Sequence, residues 1–388
     1  MNRSLYDLDA GQLEALVAEA GEPPYRARQL AHWLDDRRQP DPARMSDLPG
    51  PLRARLADRF ATAGLALERQ QSGDGGWTHK FLFRLPGGDA VESVLMLYPP
   101  ARGASAGRAT LCISTQAGCA MGCTFCATGQ SGFTRQLTAG EVVEQVARVS
   151  TALGGLRPGP EAPGHLSNVV FMGMGEPFAN PAATWGAAWR LHRGFGLSAR
   201  ALTISTVGLV PGIRRAAAEP LPVNLAVSIH AADDALRDQL VPVNRSWPIA
   251  ELLGAVRDYV TATRRRVSFE YALIAGVNDG LEQASRLGRL LAPLRVPGSG
   301  GHAAHVNLIP YNPTPGIAFA PPSKGAVRRF RDAVAATGVP VSVRANRGVG
   351  IDAACGQLRT TAGRPGRRPT PPPAGPDPQP ETPAEVAR

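Results

Sequence analysis

Cys119, Cys123 and Cys126 stand in a C-x3-C-x2-C spacing inside "GCAMGCTFCATG", three of only five cysteines in a chain of 388 residues. Three thiolates packed into so short a stretch can hold three corners of an iron–sulfur cube and leave its fourth iron open to an exogenous ligand. A structural zinc, with Cys112 as fourth thiolate, is the competing reading. Such zinc sites usually pair two C-x2-C units, however, and no second pair is present. An odd, clustered set of cysteines does not resemble a secreted disulfide framework; thiols this close suggest metal or redox chemistry in a reducing compartment.

The cysteines follow the strand-like run "ATLCIST", and from about residue 108 to 346 similar runs recur: "LSNVVFMGM", "ALTISTVG", "NLAVSIHA", "RVSFEYALI" and "HVNLIPYN". Between them lie helical stretches such as "TAGEVVEQVARVSTAL", "IAELLGAVRDYVTAT" and "LEQASRLGRLLAPL". Six βα steps imply an α/β fold, parallel strands with crossover helices closed or partly closed as a (βα)6 barrel. A further strand, "PVSVRAN", follows the last helix. Barrels of this kind keep their chemistry at the C-terminal ends of the strands. There the sequence places "GMGEP" with Gly175 and Glu176, "STVG" with Ser205, "SIH" from Ser228 through Ile229 to His230, and "YNP" with Asn312. Each alone is more often structural; together they mark one site.

The flanks read differently. Residues 1–65 form a small helical domain, in which Ala27, Leu30, Trp33 and Leu34 make a core-facing stripe. Residues 66–107 carry two alternating runs around Pro-Gly-Gly-Asp, a β-hairpin. The barrel occupies residues 108–360. Residues 361–388 are rich in proline and nearly free of large apolar side chains, the composition of a disordered tail. No apolar run is long enough to cross a membrane and the first residues lack a secretory pattern, so a cytoplasmic protein without membrane partners is expected. A net charge of +10, carried by arginine with Lys80 and Lys324 as the only lysines, points to a polyanion such as nucleic acid.

The cysteine spacing followed by βα units resembles the radical S-adenosylmethionine (SAM) enzymes. The resemblance implies a [4Fe-4S] cluster on Cys119, Cys123 and Cys126 whose open iron takes the amino and carboxylate groups of SAM. It implies SAM contacts at Gly175, Glu176, Ser205, Ser228, Ile229, His230 and Asn312, and suits Phe125 to shielding the cluster. "STQAGCAMGCTFCATGQSGFTRQLT", "VVFMGMGEP", "STVGLVPGI", "LAVSIHA", "NLIPYNP" and "IDAACGQL" together resemble the RlmN family, over roughly residues 20–360. These are adenine C2 methyltransferases of 23S ribosomal RNA that also modify transfer RNA.

That likeness implies two SAM molecules per turnover. Cys355 would carry the methyl group, Cys112 would resolve a protein–RNA adduct by forming a disulfide with it, and Glu92 would accept a proton. On the residues alone, a solvent-facing hairpin carboxylate is the plainer reading of Glu92. The resemblance further implies an RNA-binding N-terminal domain, an electron donor such as flavodoxin or ferredoxin, and a monomer. Two positions depart from the family pattern: Gly350 stands where relatives generally carry an acidic residue, and Gln136 replaces a common asparagine. The nearest alternative is a Cfr-type enzyme, which methylates adenine at C8 with the same cysteines. The more distant one is a non-catalytic iron–sulfur or zinc protein that binds nucleic acid.

Overall fold

A computed structural model describes residues 3–61, 64–101 and 107–359. Seven parallel strands run side by side in chain order: Arg108–Cys112, Asn168–Phe171, Leu202–Thr206, Asn224–Ser228, Val267–Leu273, Ala304–Pro310 and Val341–Val343. The first six are the expected βα strands, and the last is the extra strand "PVSVRAN". Their centres are nearly continuous apolar runs, as parallel strands covered by helices require: Val169, Ile204, Leu225, Val227, Phe269 and Val306 are all fully buried. Helix boundaries follow local chemistry. Thr138 and Glu141 form a reciprocal capping box at the start of Ala139–Ala152, which buries Val142, Val143 and Val146 against the sheet.

Three antiparallel strands extend this sheet at its first edge. Thr78–Arg84 and Ala90–Tyr98 are the two arms of the expected hairpin, and Ala66–Gly73 adds a third strand outside them. Ala90–Tyr98 pairs with Arg108–Cys112, with Val94 opposite Cys112, so hairpin and barrel share one ten-stranded sheet. Residues opposite each other in such a pair share a face, as do residues two apart along a strand. Glu92 and Cys112 therefore project from the same face of neighbouring strands.

The N-terminal helices Ala10–Glu19, Tyr25–Asp35 and Gly50–Arg59 bury Leu13, Leu30, Leu34, Leu52 and Leu56 in the apolar core they share with the barrel. Ala27, Leu30 and Leu34 are buried, while Trp33 is half-buried and its indole N–H is taken by Asp47. Polar contacts fix the packing: the Gly140 N–H donates to Asp7 at 2.7 Å, and Arg190 pairs with Asp35 at 2.9 Å. Among the described residues no helix is long and apolar enough to cross a membrane. The proline-rich tail lies outside the described residues.

Candidate active site

The three cysteines sit on a loop whose path glycine makes possible. Gly118 ends the short strand Gln116–Gly118 with φ +78, and a Cβ there would fall 2.0 Å from the Gly132 carbonyl oxygen. That close approach lets the Cys119 N–H donate to Gly132 O at 2.8 Å, pinning the loop's start, while Cys126 begins the helix Ala127–Ser131. One cavity at the C-terminal ends of the strands is lined by Cys119, Cys123 and Cys126 together with Gly175, Glu176, Ser205, Ser228, His230, Asn312 and Cys355. Expected site residues scattered over more than 200 positions of sequence thus converge. Cys112, Ile229 and Glu92 do not line it. Ile229 is fully buried; its N–H donates to Glu270 O at 3.0 Å and its carbonyl accepts from Arg237 at 3.0 Å.

Burial pushes the Cys119 thiol up to about 12, and raises Cys123 and Cys126 as well. Thiolates form in such a place only opposite a cation. Among the described residues, no three His, Cys, Asp or Glu side chains gather closely enough to share a single metal ion. A cube offers each cysteine its own iron, so its ligands stand farther apart than those of zinc. Cys112, the fourth thiolate that zinc would need, is raised to about 12 chiefly by burial and next by the charge of Cys355. The donor set fits a cube with one open iron.

The strand ends shape the rest of the cavity. Gly175 has φ +101, and a Cβ on it would meet the Gln116 side chain at 2.6 Å. The Glu176 carboxylate accepts from the N–H groups of Phe178 at 3.0 Å and Val207 at 2.8 Å, and burial raises it to about 7. His230 Nδ1 accepts the Ala272 N–H at 2.9 Å, which leaves the ring proton on Nε2. Burial, helped by Arg237, lowers this histidine to about 3, so it stays a neutral donor. Phe125 packs edge-on against it, with ring centroids 4.7 Å apart.

Cys355 is exposed, on a loop tied to everything around it. The Ala127 N–H, at the start of the helix after Cys126, donates to Gly356 O at 2.8 Å, and Thr128 Oγ1 donates to Leu358 O at 2.5 Å. Asn312 Nδ2 donates to Cys355 O at 3.3 Å. All five thiols are free. Glu92 is 4% exposed, so the solvent-facing reading of it does not hold: loop residues up to Arg359 fold over the hairpin face that carries it.

A family model of the ribosomal RNA large subunit methyltransferase N-terminal domain matches residues 3–61, and one of the radical SAM superfamily matches residues 113–287. A probable dual-specificity RNA methyltransferase RlmN from Chloroflexus aurantiacus is 51% identical over 365 residues, covering 92% of this chain and 92% of the relative. The chain belongs to the RlmN family. Another RlmN relative, from Roseiflexus castenholzii, is 47% identical and covers 92% of this chain and 95% of its own length. The crystal structure of a radical SAM methyltransferase from Sphaerobacter thermophilus matches with a TM-score of 0.84 and 48% identity, over 92% of this chain and 99% of that one. The expected radical SAM α/β fold is therefore the observed one. As an RlmN-family radical SAM RNA methyltransferase, the protein works with a [4Fe-4S] cluster and SAM.

The RlmN site also contains residues that sequence reading missed. Arg237 is fully buried. It donates to the carbonyls of Ile229 at 3.0 Å, Ser228 at 3.1 Å and Val207 at 2.6 Å, and to Asn244 Oδ1 at 2.7 Å. It thereby locks the loops after two neighbouring strands, and it supplies positive charge near Cys123. The only sequence signal is an arginine in "ALRDQLVPVN", which reads as an ordinary surface charge of a short helix. Arg237→Met strands four acceptors in the interior. It should lower stability by roughly 2–4 kcal/mol, because buried acceptors lose a charged donor and are left unsatisfied. Denaturant unfolding of the reconstituted protein checks this; a loss under 1 kcal/mol would mean the carbonyls find other donors. Arg344 also lines the cavity, paired with Glu270 at 3.2 Å and facing the charge of Cys355.

Proposed function

We propose that this enzyme methylates C2 of adenine in 23S ribosomal RNA and in transfer RNA, with Cys355 as methyl carrier, Cys112 as resolving thiol and Glu92 as proton acceptor. The observation that carries this reading is an exposed Cys355 lining the cluster cavity together with a second thiol, Cys112, buried at the end of the strand Arg108–Cys112 and raised by burial and next by the charge of Cys355. Burial explains the division of labour. Cys112 stays protonated at neutral pH and is a poor methyl acceptor, whereas Cys355 is open to solvent and substrate.

When bound on Cys119, Cys123 and Cys126, the cluster with SAM supplies a methyl group and a 5′-deoxyadenosyl radical that removes hydrogen from it. The Cys355 sulfur takes the methyl by displacement, releasing S-adenosylhomocysteine. After hydrogen removal its methylene carbon adds to C2, an electron-poor ring carbon that cannot attack a SAM methyl itself. The ring radical gives up one electron, for which the oxidised cluster would be the acceptor, and its C2 proton to Glu92; this restores the aromatic ring and leaves Cys355 joined to the base. Cys112 gives up its thiol proton as it attacks the Cys355 sulfur: the S–S bond forms, the S–CH2 bond breaks, and the released carbon takes a proton to become the methyl group, so the proton count closes. An external dithiol resets the disulfide in two exchange steps, itself becoming a disulfide. Glu176, Ser205, Ser228, the backbone at Ile229, His230 and Asn312 hold SAM. The helices of residues 1–65 form an accessory RNA-binding domain in this proposal, and a cytoplasmic monomer served by flavodoxin or ferredoxin is its working form.

Nucleoside analysis of ribosomal RNA treated with reduced holoenzyme should yield 2-methyladenosine. Mainly 8-methyladenosine would move the chain to the resistance enzymes, and no methylated nucleoside would reject the reading.

A further inference from the structure

Lysine is almost absent from this chain, yet one of its two lysines is buried in the hairpin strand Thr78–Arg84. Lys80 Nζ lies 3.2 Å from Glu92 Oε1 on the neighbouring strand. The same ammonium donates to the Asp352 carbonyl at 3.2 Å. The other carboxylate oxygen of Glu92 accepts the Arg359 N–H at 2.9 Å. Asp352 and Arg359 stand on either side of Cys355 in the chain. One buried ion pair therefore grips both ends of the segment that bears the methyl-carrying sulfur. Asp352 has φ +51, a left-handed conformation that a residue with a side chain adopts at a cost and keeps only when its surroundings fix it. A compact ammonium, with three diverging donors on one nitrogen, can serve a carboxylate and a carbonyl together.

We propose that Lys80 is a positioning residue for the proton-removal step, holding the Glu92 carboxylate and the Cys355 segment as one rigid unit so that both meet the same adenine. This rests on the reading of Glu92 as proton acceptor. The charged groups lining the small polar cleft around that carboxylate are Lys80, Arg69, Asp352 and Arg359. Burial raises Glu92 and the Lys80 charge is the main influence pulling it back down. An acceptor must be ionised, so loss of the ammonium should shift the acid limb of adduct resolution to higher pH, by about one unit or more.

The test uses reduced holoenzyme with SAM and RNA, following Cys355 methylation by protein mass spectrometry and the protein–RNA adduct on denaturing gels. Lys80→Met should methylate Cys355 as the parent does, accumulate several-fold more adduct, and show the shifted limb. Lys80→Arg should bring the limb back. Should the Met variant not hold its cluster, Lys80→Gln, which keeps a donor but removes the charge, is read in the same way. Parental adduct levels and an unmoved limb would overturn the proposal. So would a uniform fall in turnover with the limb unmoved, because a merely structural lysine gives that result. Glu92→Gln runs alongside. Adduct accumulation in it upholds the base assignment on which Lys80 is judged, and its failure to accumulate adduct would sink that assignment and the Lys80 proposal together.

Discussion

Cys112→Ala should fold, methylate Cys355 and attack RNA, and then stop, with protein and RNA joined through Cys355. In the proposed mechanism the variant keeps the carrier sulfur but loses the thiol assigned to attack it. Cys119, Cys123 and Cys126 are committed to the cluster in this account, and no further cysteine exists. Multiple turnover should fall to less than one product per enzyme. A gel-shifted band that ribonuclease shortens should appear in step with the first RNA consumed. The alternative is that Cys112 is a small buried hydrophobe in the strand Arg108–Cys112, 7% exposed. Alanine would then cost about 1 kcal/mol of packing and leave turnover intact. Sustained turnover by the folded variant, with no crosslink, would remove Cys112 from the mechanism.

Cys355→Ala should lose activity completely, and at an earlier point. Neither methylated protein nor methylated RNA should form, and no crosslink should appear in either the single variant or the double variant with Cys112→Ala. Because Cys355 is exposed and its neighbours hold the loop by backbone groups, the substitution should change stability by no more than about 0.5 kcal/mol. Protein mass spectrometry after incubation with SAM reads the first point directly. Methyl transfer to RNA by this variant at even a tenth of the parental rate would show that the carrier is another group.

The parts of this site that could be read in advance are those where local sequence determines the chemistry. The C-x3-C-x2-C spacing places three thiols on one turn-rich loop whatever the rest of the chain does. "GMGEP" and "STVG" mark strand ends because only glycine permits the backbone to pass as close as Gly175 does to Gln116. The six βα strands were legible because each is an apolar run bounded by turn residues.

What escaped depended on contacts made across long stretches of sequence. Glu92 in "AVESVLML" looks like the polar side of an alternating strand; it is buried because Arg359 and the loop before it cover that face. The outer strand Ala66–Gly73 reads "ALERQQSG", with no apolar alternation, and is formed by pairing with the hairpin rather than by its own pattern. Arg237 was invisible because its partners are carbonyls of two other strand ends. The partnership of Cys112 and Cys355 came from family likeness alone. That Cys112 is buried while Cys355 is exposed is a contrast only the fold shows.

The central claim is that the methyl group reaching RNA passes through Cys355, and a label on that sulfur tests it most directly. Protein carrying an isotope-labelled methyl on Cys355 is freed of SAM, then given unlabelled SAM, reductant and RNA for a single turnover. The account predicts that the first 2-methyladenosine formed carries the labelled carbon, and that the unlabelled methyl then appears on Cys355. Product carrying only the unlabelled methyl, with the label still on the protein, would contradict it.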